Sequence, residues 1–174
     1  MDVKINNTKT LIEFFMKNYI DKIKVAVDMT VGNGFDSKNI LEILQPEKLY
    51  CFDIQQEALD NSKILLEKYL NCELILENHK NFAIYNLGYL PKGDKNITTN
   101  AEDVEESLKK LLGKLNSKGI IFITFYIGYS AGQIESLEVS KFIQKLNQKE
   151  YTILKFTFEN QKNNPPYVVM IQKI

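Results

Sequence analysis

A polar amide, a glycine and an aromatic ring follow one another near the middle of the chain, directly after a short apolar segment. The apolar segment, residues 82–85, is predicted to be a strand, and the run after it reads Asn86-Leu87-Gly88-Tyr89-Leu90-Pro91. An amide oxygen can accept a hydrogen bond from a substrate NH₂ group and aim its lone pair at an electrophile, while an aromatic ring stacks on a base or amine. The run therefore predicts a site at which an amine is methylated.

Two groups of residues upstream of this run are suited to holding a nucleoside cofactor. Each group begins with an acid at the end of a predicted strand, and the first continues into a glycine turn. Their members are Asp28, Thr30, Gly32, Asn33, Gly34, Asp53, Ile54 and Gln55. A glycine turn before a helix directs backbone N–H groups at a ligand, and an acid 25 positions after Asp28 suits ribose hydroxyls.

The choice of cofactor follows from what the turn lacks. A dinucleotide fingerprint needs three glycines, whereas the turn here reads Gly32-Asn33-Gly34-Phe35-Asp36-Ser37 and places an acid where a pyrophosphate would lie. Asp28 is better matched to the cationic side of S-adenosylmethionine than to phosphates. We therefore predict S-adenosylmethionine, with NAD as a distant alternative, and no metal.

Composition limits the class of protein. With 174 residues, 44% hydrophobic and 25% charged, the chain is expected to form one globular domain spanning residues 1–174. The net charge is formally zero and all 22 basic residues are lysines, so an RNA contact would need a local lysine patch. Only Cys51 and Cys72 could form a disulfide, the first nine residues are polar, and no apolar run is long enough to span a membrane. We expect a cytoplasmic protein that makes no membrane contact.

Apolar periodicity and turn residues give the order of elements. The predicted helices span residues 11–20, 36–44, 56–70, 100–115 and 133–147, the first capped by Asn7 or Thr8 and the fourth by Asn100. The predicted strands span residues 24–28, 49–53, 73–77, 82–85, 119–127, 151–158 and 167–171. Repeated strand and helix units that end in a hairpin predict an α/β fold with a doubly wound, Rossmann-like sheet, mostly parallel with a C-terminal antiparallel hairpin. In such sheets ligands bind beyond the carboxyl ends of the strands, where the motifs above lie.

Taken together, the motifs resemble those of one family across nearly the whole chain. The segments that carry the resemblance are Asp28-x-Thr30-x-Gly32-Asn33-Gly34, Phe52-Asp53-Ile54-Gln55, Asn86-Leu87-Gly88-Tyr89-Leu90-Pro91-x-Gly93-Asp94-Lys95, and Asn160-Gln161 with Pro165-Pro166. They are similar to bacterial methyltransferases long labelled putative rRNA methylases. The resemblance implies a methyltransferase that uses S-adenosylmethionine to methylate the aminomethyl group of 5-aminomethyl-2-thiouridine at the tRNA wobble position.

Two positions depart from the family pattern. Tyr129 stands where the family usually has histidine after Tyr126-x-Gly128, so a proton-transfer role of that histidine does not carry over. The segment between His79 and Asn86 is also shorter than is usual in the family.

Roles can be assigned to individual residues as hypotheses. Asn86, with the Leu87 carbonyl, would hold the amine N–H groups, and Tyr89 would stack on the acceptor. His79, the lone histidine, could accept a proton or contact the adenine of the cofactor, next to Asn78. Asn86 is counted among both the catalytic and the cofactor-binding residues. The predicted substrate-binding residues are Leu87, Gly88, Tyr89, Lys92, Lys95, Tyr126, Gly128 and Asn160.

Four functions remain open at this level. The first is a tRNA wobble-uridine amine methyltransferase that binds the anticodon loop, and the second is a methyltransferase acting on rRNA or a small molecule. The third is a module that binds S-adenosylmethionine without catalysis, favoured by Tyr129 and by the short segment between His79 and Asn86. An NAD oxidoreductase is a distant fourth. A homodimer is a further hypothesis, because pairing would widen the surface that contacts RNA.

Overall fold

The computed structural model describes residues 4–76, 85–87 and 100–174. The chain divides into two compact units, Met1–His79 and Lys80–Ile174, each of which combines helices with a β-sheet. One sheet is parallel and the other contains antiparallel strands. The α/β class predicted from the sequence is confirmed. In the described part of the chain, no helix has the length and apolar character needed to cross a membrane.

The first unit alternates helices with the strands of a parallel sheet. Its elements are α1 (Thr8–Tyr19), β1 (Val25–Asp28), α2 (Phe35–Ile43), β2 (Lys48–Asp53), α3 (Gln56–Leu66) and β3 (Cys72–Leu76). The strands lie in the order β1-β2-β3, with Asp28 beside Cys51 and Asp53 beside Leu76. Both predicted acids therefore lie at the carboxyl edge of the same sheet.

The second unit contains the acceptor strand. Its elements are β4 (Tyr85–Leu87), α4 (Ala101–Lys114), β5 (Ile120–Phe125), α5 (Ser130–Ile143), β6 (Tyr151–Phe156) and β7 (Tyr167–Lys173). The strand order is β4-β5-β7-β6, where β4 is parallel to β5 and β7 is antiparallel to both β5 and β6. The C-terminal pair of strands is the predicted antiparallel hairpin.

Local polar residues begin two of the helices as expected. The Asn7 Oδ1 accepts a hydrogen bond of 2.9 Å from the backbone N–H of Thr10, and the Thr10 hydroxyl in turn accepts from the Asn7 N–H. The Asn100 Oδ1 accepts from the Glu102 N–H at 3.0 Å at the start of α4. These bonds satisfy N–H groups that have no partner within a helix.

Strand β4 differs from its prediction. The sequence predicted that the strand ends at Tyr85 and that Asn86 follows it, whereas the strand runs on to Leu87 and Asn86 is its middle residue. Tyr85 and Leu87 are 0% and 1% exposed, so both side chains point into the interior. Because side chains alternate along a strand, Asn86 points to the opposite face of the sheet. Residues 82–84 lie outside the described residues.

Four helix boundaries also differ by three or four residues, among them the start of α1 at Thr8 rather than residue 11 and the end of α5 at Ile143 rather than residue 147. Helix α3 ends at Leu66 rather than at residue 70, because Leu66 is its last buried apolar residue and Leu70 is 97% exposed. Helix α5 begins at Ser130, three residues before the prediction. Its first turn packs closely, since a Cβ at Gly132 would lie 2.2 Å from the carbonyl oxygen of Tyr126.

Candidate functional site

The glycine turn after β1 depends on two backbone conformations with positive φ. Gly32 has φ +51° and Gly34 has φ +81°, and Gly34 begins α2 as its N-cap. The Gly34 N–H donates to the Val31 carbonyl at 2.7 Å, and the Val31 N–H donates to the Phe52 carbonyl at 2.9 Å. The turn is thereby fixed both to itself and to the neighbouring strand.

Asp53 connects this turn to the end of β2. One carboxylate oxygen accepts from the Gly32 N–H at 3.0 Å and the other accepts from the Gln55 N–H at 3.0 Å. Asp53 is 8% exposed, so a single nearly buried carboxylate organises both loops. The two groups of residues predicted to bind the cofactor are therefore brought together in this unit.

Asp28 is buried next to the turn and is hydrogen-bonded to residues on both sides of it. Its side chain is 0% exposed and accepts hydrogen bonds from the Thr30 N–H at 3.1 Å and from the Ser37 hydroxyl at 2.6 Å. Burial raises the pKa of Asp28 to about 7, and the negative charges of Asp36 and Asp53 act in the same direction. The two donors oppose this shift. The Asp28 side chain is therefore buried and hydrogen-bonded within the turn.

Ser37 is a residue of this site that the sequence analysis did not single out. It lies in the first turn of α2, is 0% exposed, and its Oγ is 3.2 Å from the Cys51 Sγ as well as 2.6 Å from Asp28. The signal available in the sequence was a hydroxyl three residues after the last glycine of the turn, where the new helix faces back toward the strand end.

Four other predicted cofactor residues lie around the same turn. Ile54 is 39% exposed directly after Asp53, and Gln55 is the N-cap of α3. The Asn33 Oδ1 accepts from the Asn61 side chain at 3.2 Å, and Thr30 is half-buried. An exposed apolar side chain next to an acid suits an adenosine, whose base is flat and whose ribose offers hydroxyl donors.

Asn86 occupies a strand whose neighbours on both sides are anchored. Tyr85 and Leu87 pair with Ile123 and Phe125 of β5, and the Tyr85 hydroxyl is hydrogen-bonded to the Ser107 Oγ of α4 at 2.5 Å. Burial raises the pKa of Tyr85 above its usual range, so its hydroxyl stays neutral. Asn86 itself is half-buried in the middle of this strand.

Four predicted substrate residues, on three segments of the chain, lie at the same edge of the second sheet. Strands β4, β5 and β6 run in one direction, so Leu87, Tyr126 and the loop that contains Asn160 are at or just beyond their carboxyl ends. Tyr126 is 40% exposed, and Gly128 and Asn160 are exposed. The geometry thus groups three separate segments at one edge of this sheet.

The lysines of α4 are less suited to an RNA surface than their number suggests. Lys109 lies 2.7 Å from Glu105, and Lys110 forms an ion pair with Glu106 one turn away. Neighbouring opposite charges reduce the net positive field of this helix face.

Several predicted residues lie outside the described part of the chain. They are Asn78, His79, Gly88, Tyr89, Lys92 and Lys95. Among the residues that the structure does describe, no group of three or more histidine, cysteine, aspartate or glutamate side chains could hold a metal ion.

Comparison with known families and proteins gives a consistent picture. Residues 49–172 match a family model described as putative rRNA methylase. A chloroplastic tRNA (mnm(5)s(2)U34)-methyltransferase of Arabidopsis thaliana is 28% identical over 178 residues, a match that covers 88% of this chain. This chain spans 65% of the length of that relative.

Solved structures with the same fold cover nearly the whole chain. A putative rRNA methylase of Clostridium thermocellum is 30% identical with a TM-score of 0.89, and the match covers 98% of this chain and 100% of that one. SMU.1697c of Streptococcus mutans, a putative methyltransferase solved in complex with S-adenosylhomocysteine, is 32% identical with a TM-score of 0.86 over the same shares of both chains. These likenesses confirm the Rossmann-like methyltransferase fold that the sequence motifs predicted.

Proposed function

Because the chain belongs to the family described as putative rRNA methylase, we propose that it is a methyltransferase acting on RNA, with S-adenosylmethionine as the methyl donor. The acceptor that we propose is the exocyclic aminomethyl nitrogen of 5-aminomethyl-2-thiouridine at the tRNA wobble position. The observation that carries the proposal is the glycine turn that Asp53 closes through the Gly32 N–H at 3.0 Å.

The charges around the turn favour a cationic ligand over a phosphate. Asp28 and Asp53 lie at the strand ends, and Asp36 occupies the first turn of α2, where a pyrophosphate would need positive charge. When bound, S-adenosylmethionine supplies an electrophilic methyl group on a positively charged sulfur. Three acids at one turn stabilise that positive charge and repel the anionic group of a dinucleotide.

Each part of the cofactor has a candidate partner in the first unit. Asp53 retains lone pairs beyond its two backbone hydrogen bonds and would accept from ribose hydroxyls. Ile54 offers an exposed apolar surface to the adenine. The backbone of the turn, from Thr30 to Gly34, would face the amino-acid portion.

Asn86 is suited to orienting an amine because it accepts hydrogen bonds without taking up a proton. Its amide oxygen would hold one amine N–H, aim the nitrogen lone pair and stabilise the positive charge that grows on nitrogen during transfer. Side chains placed on a strand are held more precisely than those on a loop. The burial of Tyr85 and Leu87 on either side of Asn86 supports this assignment.

The tRNA acceptor is supported by the similarity to a wobble-uridine methyltransferase across 88% of this chain. With zero net charge, RNA binding depends on local groups, and Lys109 and Lys110 of α4 are paired with acids. Lys92 and Lys95, which follow the acceptor run in the sequence, are the better candidates for phosphate contacts near Asn86.

An rRNA acceptor is the second candidate, favoured by the description of the matching family. The wider proposal is one methyltransferase domain over residues 1–174. We propose a cytoplasmic location because Cys51 and Cys72 are free thiols. The homodimer hypothesis is tested by light scattering.

The acceptor assignment is tested by replacing Asn86 with alanine. We expect Asn86→Ala to lower kcat for methylation of tRNA that carries 5-aminomethyl-2-thiouridine by about 100-fold, the scale for loss of one oriented group. The affinity for S-adenosylhomocysteine should change by less than about threefold, because the cofactor turn lies on other strands. Asn18→Ala is a matched control, since Asn18 is an exposed α1 residue whose side-chain amide donates to the Phe14 carbonyl of its own helix at 2.7 Å. Normal turnover of Asn86→Ala would refute the role of Asn86.

A further inference from the structure

Ser37 forms a short contact with the buried acid of the cofactor turn. Its hydroxyl donates to the Asp28 Oδ2 at 2.6 Å, and both side chains are 0% exposed. No water can replace this bond without a rearrangement of the turn. The other described donor to Asp28 is the Thr30 N–H at 3.1 Å.

A hydroxyl carries a single hydrogen, so the direction of its bonds reports the charge of Asp28. While Asp28 is ionised, Ser37 donates to it and can accept from the Cys51 thiol, whose Sγ lies 3.2 Å away. When Asp28 is protonated, the carboxyl can donate to Ser37 and the Ser37 hydrogen can turn to the sulfur. The two charge states of Asp28 therefore differ in the bonding of Ser37.

We propose that Ser37 is a positioning residue that keeps Asp28 ionised and thereby sets the pH range in which the protein binds its cofactor. This inference rests on the proposed function, in which the cofactor is cationic. Ionised Asp28 attracts the ligand, whereas protonated Asp28 does not, so a residue that favours the ionised form increases affinity at neutral pH.

The groups that face Asp28 make the contribution of Ser37 decisive. Asp36 on α2 and Asp53 on β2 are acids and disfavour a further negative charge, and burial does so most strongly. Cys51 on β2, with Cys72 on β3 at 3.6 Å from it, completes the titratable groups on the described elements packed there. None of these groups is a cation. The pKa of Asp28 is about 7 with Ser37 in place, and loss of that donor would raise it further.

The test is calorimetry with S-adenosylmethionine, whose sulfonium carries the positive charge, between pH 5.5 and 9, on the full chain and on Ser37→Ala. Loss of a hydrogen bond to a charged group shifts the pKa of that group by about 1–2 units. In Ser37→Ala, the pH at which affinity rises should therefore move upward by about that amount. At pH 7 the Ser37→Ala variant should bind about 10-fold more weakly, and the difference should close at high pH. Asp28→Asn gives the profile of the ligand amine alone and is subtracted.

Two further variants separate this role from a structural one. Ser37→Thr keeps the hydroxyl and should restore the wild-type midpoint. Ser136→Ala removes a buried hydroxyl that bonds its own helix at 2.8 Å and should leave the midpoint unchanged. A merely structural role of Ser37 predicts the same loss of affinity at every pH, and that result would overturn the inference.

The carboxyl ¹³C signal of Asp28 keeps the inference testable if Ser37→Ala does not fold. In the wild type we expect this signal to titrate near pH 7, and a midpoint near 4 would refute the inference. If the wild type fails to bind S-adenosylmethionine at any pH, the proposed function itself is wrong. If it binds and the Ser37→Ala midpoint is unmoved, only the role of Ser37 is wrong.

Discussion

Gly34 meets two constraints that alanine cannot meet together. Its φ is +81°, and a Cβ would lie 3.0 Å from the Ser62 Cβ and 3.2 Å from the Ser62 Cα. A left-handed conformation costs an L-residue about 1–2 kcal/mol, and an overpacked contact with a helix backbone adds about 1–3 kcal/mol. We expect Gly34→Ala to lower the free energy of unfolding by about 2–5 kcal/mol, the sum of these two costs.

The matched control is Gly113→Ala in α4. A Cβ at Gly113 meets no atom within 4 Å, and alanine is the better helix former, so this variant should gain about 0.5–1 kcal/mol. Urea denaturation followed by circular dichroism measures both free energies under one condition. Gly34→Ala should also weaken binding of S-adenosylhomocysteine, because the displaced turn no longer aligns its N–H groups. A Gly34→Ala stability equal to that of the wild type would refute this account of the turn.

Three other perturbations follow from single contacts. The raised pKa of Asp28, about 7 against an ordinary 3.8, means that the folded state retains a proton that the unfolded state has lost, so stability should fall by about 4 kcal/mol as pH rises from about 4 to 7, and Asp28→Asn should abolish that slope in urea titrations. Tyr85→Phe leaves the buried Ser107 hydroxyl unsatisfied and should lower the free energy of unfolding by about 1–3 kcal/mol. A double-mutant cycle with Ser107→Ala measures the coupling energy of the two side chains, and additive effects would contradict a stabilising Tyr85–Ser107 hydrogen bond. Asp53→Asn removes one acceptor from the Gly32 or Gln55 N–H and should weaken S-adenosylhomocysteine binding about 10-fold by calorimetry, while unchanged affinity would exclude Asp53 from the cofactor site.

The elements that the sequence predicted well are those with local causes. Asn7 and Asn100 cap helices through hydrogen bonds to residues three and two positions away, and such signals are visible in a short window. The acids at the strand ends were found for the same reason, because an apolar run followed by Asp marks the end of a buried strand. The prediction of where β4 ends was wrong, because the pairing of β4 with β5 depends on residues more than 30 positions away in the sequence.

The candidate site shows the same division. The sequence predicted that Asp28, Asp53 and the glycine turn would lie together, and the structure places them in one hydrogen-bonded cluster. It did not reveal that Asp28 is fully buried, nor that Ser37 bonds to it, because the direction of a helix face depends on how the preceding turn exits the sheet. Charge alone in a sequence does not distinguish an acid that contacts a ligand from one that shapes a turn.

The central claim is tested most directly by identifying the methylated nucleoside. Total tRNA and rRNA from cells that lack this activity would be incubated with the protein and isotopically labelled S-adenosylmethionine, digested to nucleosides and analysed by mass spectrometry. We predict label in 5-methylaminomethyl-2-thiouridine from tRNA, and labelling about 100-fold slower in the same reaction containing Asn86→Ala. Label confined to rRNA nucleosides would contradict the wobble-uridine assignment, and the absence of label from both RNAs would contradict an RNA acceptor altogether.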